Sequence, residues 1–116
     1  MKTKTFLKKK NKIVKKATGL KLIPDNQIIN VDRKYLENSE KGKCLSEDIC
    51  PYCLVYADCL DCIMNIENNG CVEDNSTWNV ANEAWKELAT KKDIKKLNKL
   101  INKYNESNNC FYGFYD

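Results

Sequence analysis

Apolar residues recur at helical spacing in two stretches near the C-terminus. Trp78, Ala81, Trp85 and Leu88 follow one another at intervals of three, four and three, which puts them on one face of a helix. Asn75, Ser76 and Thr77 stand in front of them as N-cap candidates. A second helix is predicted on the face of Ile94, Leu97, Leu100, Ile101 and Tyr104. Thr90 and Asp93 open it at the spacing of a capping box. The two helices are expected to pack as a pair, with the tryptophans against the cysteine-rich segment that precedes them. The aromatic tail, Phe111, Tyr112, Phe114 and Tyr115, is expected to close the edge of the core.

The N-terminal pattern is different. Over residues 3–18, Phe6, Ile13, Ala17 and the following Leu20 lie near heptad spacing, and lysines fill most other positions. This predicts a basic amphipathic helix that ends at Gly19, or an arm that folds on contact. Residues 20–32 then carry two short β-branched runs around Pro24-Asp25-Asn26, the pattern of a small β-hairpin. Tyr35 and Leu36 anchor a polar connector. These readings predict a small α+β fold, mainly α. A Cys-ligated metal knuckle packs on a C-terminal helical hairpin, with a short N-terminal β-hairpin and a basic arm. Residues 1–18 are the arm. Residues 19–116 are one small domain: 19–43 the hairpin and connector, 44–74 the cysteine module, 75–116 the helix pair and tail.

Charge is arranged in blocks. Residues 1–22 hold Lys2, Lys4, Lys8, Lys9, Lys10, Lys12, Lys15, Lys16 and Lys21 and no acid. Residues 44–85 hold Glu47, Asp48, Asp58, Asp61, Glu67, Glu73, Asp74 and Glu83 and neither Lys nor Arg. Residues 86–103 are basic again, with Lys86, Lys91, Lys92, Lys95, Lys96, Lys99 and Lys103 against Glu87 and Asp93. A polyanion therefore meets attraction only at the two lysine-rich ends. The candidate contacts are Lys8, Lys9, Lys10, Lys12, Lys15 and Lys16, extended by Lys92, Lys95, Lys96 and Lys99. The middle block repels phosphate, and a thiolate-held metal would make it more negative still.

Charged residues make up 31% of the 116, so the apolar core is small and gains from a metal brace. The cysteines supply a candidate. Cys50, Cys53, Cys59, Cys62 and Cys71 form C-x2-C-x5-C-x2-C-x8-C, with Gly70 turning the chain into Cys71. Two C-x-x-C corners complete a tetrahedral thiolate site, and zinc is the expected metal. Four of the five suffice, with Cys50, Cys53, one of the second pair and Cys71 preferred. Cys44 and Cys110 read as buried or free thiols. An iron–sulfur cluster is the alternative, although the closely spaced ferredoxin run is absent. The N-terminus has no apolar segment of a secretory leader. The odd count of seven cysteines also suits a reducing compartment better than a disulfide framework. A reducing cytoplasm is the expected location, and no apolar run reaches the about 18 residues of a membrane span.

No histidine is present, which removes the commonest general base and every nucleophile system built on it. Cys50-Pro51-Tyr52-Cys53 does match the C-P-Y-C motif of glutaredoxins. There Cys50 would be the nucleophile and Cys53 the resolving thiol. The rest of the chain opposes that reading. Pro24 and Pro51 are its only prolines, leaving none opposite the motif. The acidic surroundings also raise a thiol pKa rather than lower it.

The succession of Cys50, Cys53, Tyr56, Cys59, Cys62, Gly70, Cys71, Thr77 and Trp78, followed by a helix pair, resembles small Cys-rich phage and prophage proteins. The resemblance covers about residues 50–104. Ile63 departs from it, standing where that group usually has proline after the second pair. What the resemblance implies is a phage-type, metal-binding accessory protein of the bacterial cytoplasm; it implies no known catalytic activity. The expected function is a non-enzymatic zinc-binding module. Its basic surfaces contact nucleic acid or a host nucleoprotein, in a setting where inhibition of a host defence complex is one outcome. Two alternatives stand beside it: an acidic inhibitor that mimics nucleic-acid charge, and the glutaredoxin-like thiol–disulfide oxidoreductase.

Overall fold

Helix α1 spans Thr3–Thr18 and is the element around which the others pack. A computed structural model of the chain describes residues 1–28, 62 and 74–107. The helix ends as its sequence dictates. Gly19 adopts φ 79°, a left-handed conformation that costs glycine nothing. Its N–H donates to the Lys15 carbonyl at 2.7 Å. Lys15 and Lys16 occupy the last turn, where the helix dipole favours cations.

After Gly19 the chain doubles back along α1. Leu22 and Ile23 are buried there. A single 3₁₀ turn, Asp25–Gln27, follows Pro24 and precedes the buried Ile28. Two helices complete the described fold: α2, Thr77–Leu88, and α3, Lys91–Ser107. Ser76 caps α2, its hydroxyl accepting from the Asn79 N–H at 3.1 Å. Thr90 and Asp93 cap α3 reciprocally. The Asp93 N–H donates to Thr90 Oγ1 at 3.2 Å, and the Thr90 N–H donates to Asp93 Oδ2 at 3.1 Å. Ala89 and Thr90 alone connect the two helices.

Both C-terminal helices pack on α1, and their contact with each other is slight. The core is therefore shared: Phe6, Leu7 and Val14 from α1, Trp78, Ala81 and Trp85 from α2, and Leu97, Leu100, Ile101 and Tyr104 from α3. Leu22, Ile23 and Ile28 close it on the loop side. Antiparallel packing of α1 and α3 is fixed at one end by Tyr104. Its ring lies 4.7 Å from that of Phe6, tilted by 46°. Its hydroxyl pairs with Thr3 Oγ1 at 2.9 Å. A buried tyrosine is tolerated because that hydroxyl is satisfied.

These observations correct the expected α+β fold. The described residues are helical and contain no strand. The β-hairpin expected over 20–32 is not formed by its described part, residues 20–28, which run as bends and one 3₁₀ turn. The reason is a side chain. The Ile23 N–H donates to Asn11 Oδ1 at 3.0 Å, and Asn11 Nδ2 donates to the Ile23 carbonyl at 2.7 Å. The Asn11 amide thus takes both bonds that a partner strand would have taken. The helix pair is likewise not a self-packed hairpin, because α1 lies against both of its members. Leu88 and Leu20, expected on apolar faces, are 57% and 39% exposed.

Candidate functional site

The helical period divides the lysines of α1 between two edges. Phe6, Leu7, Lys10, Asn11 and Val14 face the core. Lys9, Lys12 and Lys16, at spacings of three and four, share the edge beside that face. This edge meets α3. The two helices enclose an open groove of about 480 Å³ lined by Lys9, Lys12, Ile13, Lys16, Asp93, Lys96 and Leu100. Ile13 and Leu100 give it an apolar floor. Four ammonium groups against one carboxylate leave its lining with a charge of +3.

The α3 side continues the stripe. Lys92, Lys96, Lys99 and Lys103 are all exposed, and intervals of four, three and four align them along one side of the helix. They span about 16 Å at the rise of an α-helix. Lysines from the two ends of the sequence thus flank one groove. Lys8 and Lys15 are exposed on the other edge of α1. There they act, with Lys21, on Asp25. A hydrogen bond from Lys21 comes first among the causes that hold the Asp25 carboxyl below the usual carboxylate range. Lys95 is exposed on α3 but does not line the groove.

Lys10 lies elsewhere. It is 2% exposed, and its ammonium sits 5.0 Å from the Trp78 ring centroid and 5.9 Å from that of Phe6. Its stem fills core volume while its head meets two ring faces. It is a packing residue and cannot contact an external phosphate from this position, contrary to its place among the candidate contacts.

Asp93 is the groove residue that lysine spacing alone does not reveal. Its Oδ2 accepts from the Thr90 N–H and pairs with Thr90 Oγ1 at 2.9 Å. The backbone bond from Thr90 is the main cause that lowers its carboxyl pKa, followed by the Thr90 hydroxyl. The charges of Lys16 and Lys96 add to this. The signal in the sequence was its position as an acid among Lys91, Lys92, Lys95 and Lys96.

Of the expected metal ligands, Cys62 falls among the described residues. It is half-buried and packs against the helical core. Cys50, Cys53, Cys59 and Cys71 lie outside them, as do Cys44, Cys110 and the aromatic tail. No described helix is long and apolar enough to cross a membrane. No family model matches this chain, and no curated protein or solved structure matches it either.

Proposed function

We propose that the protein is a non-enzymatic binding module whose lysine groove holds a nucleic-acid backbone. One observation carries the reading: Lys9, Lys12 and Lys16 of α1 and Lys96 of α3 line a single groove. Lys92, Lys99 and Lys103 of α3 prolong it. Such a surface tracks phosphates without reading bases, because its floor offers Ile13 and Leu100 rather than stacking aromatics. The reading keeps zinc as the brace of the Cys50–Cys71 segment. The support for zinc is the spacing of the sulfur pairs and the absence of histidine.

The test is binding of a labelled single-stranded oligonucleotide, followed by fluorescence anisotropy across a salt series. If four groove lysines each neutralise a phosphate, the slope of log K against log salt is about −3. Lys12→Glu with Lys96→Glu should weaken binding at least tenfold and flatten that slope. Lys8→Glu with Lys15→Glu, an equal charge change on the far edge, should cost much less. Equal losses from the two pairs would remove the groove as the site. Truncation of residues 1–18 is not an informative test, because α1 supplies Phe6, Leu7 and Val14 to the core.

A further inference from the structure

A carboxylate is a poor choice for a groove that only attracts phosphate. Asp93 nevertheless lines it, beside Lys9, Lys12, Lys16 and Lys96. It is also held in place. Oδ2 is engaged by both the backbone and the hydroxyl of Thr90, so the side chain cannot swing away without breaking the cap of α3. That leaves Oδ1 as the carboxylate's remaining acceptor. Any polyanion entering the groove meets a fixed negative charge that weakens its binding.

A hydrogen-bond donor on the ligand offsets that penalty. A ligand that carries a hydroxyl donor next to its phosphates can donate to the carboxylate while the lysines take the phosphate oxygens. Ribose has that donor in its 2′-hydroxyl, one sugar away from each phosphate. Deoxyribose has none. Hydrogen bonds to a charged acceptor are among the stronger ones. We infer that Asp93 makes the groove selective for a single strand of RNA over the same strand of DNA. This rests on the groove reading above and specifies its ligand.

The experiment compares RNA and DNA oligonucleotides of one sequence on the full-length protein, by anisotropy at fixed salt. Wild type should favour RNA by about tenfold, the worth of one charge-assisted bond. Asp93→Ala should bind DNA more tightly than wild type does, and its preference for RNA should disappear. Asp93→Glu retains the carboxylate and the capping-box chemistry, so it should keep a preference for RNA. Asp93→Ala leaves Thr90 Oγ1 to accept the residue-93 N–H, and circular dichroism is the check that each variant is folded. Equal wild-type affinity for the two strands overturns the inference and leaves the groove reading standing. So does a preference that survives in Asp93→Ala. Binding of neither strand, even at low salt, overturns both.

Discussion

Truncating Phe6 to alanine asks whether α1 belongs to the fold or merely hangs from it. The ring is 0% exposed, lies against Tyr104 at 4.7 Å and stands 5.9 Å from the Lys10 ammonium. Removal of a buried phenylalanine costs about 3–5 kcal/mol through lost transfer energy and the cavity left behind. The Tyr104 contact adds part of the about 0.5–1.5 kcal/mol typical of aromatic pairs. Loss of the ring also takes one of two faces from a lysine that stays buried. A value near 4 kcal/mol is the reasonable expectation, against a total stability of about 5–15 kcal/mol for a domain. Urea unfolding should then show its midpoint lowered by about 2 M, for a slope near 2 kcal/mol per M. Trp78 and Trp85 are both buried in α2, so their fluorescence reports the transition, and far-ultraviolet circular dichroism should move with it. Lys8→Ala is the matched control on the solvent side of α1, with an expected change within about 0.5 kcal/mol. A Phe6→Ala midpoint within 0.3 M of wild type (roughly the effect of a surface substitution) would refute a core role for α1.

Three further outcomes follow from the same geometry. Asn11→Ala strands the buried N–H and carbonyl of Ile23, and should cost about 2–4 kcal/mol in urea unfolding, one to two unsatisfied groups' worth. Thr90→Ala removes the cap of α3 and should cost about 1 kcal/mol, read as a lower thermal midpoint with reduced helix content. Acid should narrow that difference. The folded-state pKa of Asp93 lies below the ordinary 3.8, so the unfolded chain binds its proton first and the carboxylate's contribution is present above that value. It is lost as pH falls through the folded-state pKa. Thr90→Ala keeps the backbone bond to Asp93 and loses the hydroxyl's, so the urea midpoints of wild type and Thr90→Ala should draw closer, without meeting, as pH falls from 5 to 3, and a gap that widens would contradict the assignment.

The helices are legible in the sequence because their signals are local. Trp78, Ala81 and Trp85 repeat at helical spacing, Ser76 and the Thr90–Asp93 pair sit where caps belong, and Gly19 stands at a helix end. What was not legible depends on partners distant in the chain. The runs around Pro24 look like strands until Asn11, twelve residues earlier, takes both backbone bonds of Ile23. The buried stripe of α1 mixes Thr3, Lys10 and Asn11 with Phe6, Leu7 and Val14, so the heptad spacing of Phe6, Ile13, Ala17 and Leu20 leaves out Leu7 and Val14. Lys10 reads as solvent-facing because lysine usually is. Only the position of Trp78 above it shows otherwise. The lysines of the groove were legible as residues but not as a site. Their union across α1 and α3 needs the antiparallel packing that Tyr104 and Thr3 fix at one end.

That packing changes what the N-terminal charge can do. An unfolded basic arm pays conformational entropy each time it orders on a ligand, about 1–2 kcal/mol for every residue fixed. Lys9, Lys12 and Lys16 have already paid it, because the opposite face of their helix is held by Phe6, Leu7 and Val14. The cost appears instead as repulsion, since these ammonium groups and Lys96 line one groove before any anion arrives. The core therefore does more than stabilise the chain. It keeps like charges together that would otherwise separate, and Asp93, tied down by Thr90, offsets part of their repulsion from within. On the proposed reading, a groove built this way exchanges some stability for a binding surface that needs little reorganisation on contact. This is why core truncation at Phe6 and charge reversal at Lys12 should both weaken binding, but only the first should lower the stability of the fold.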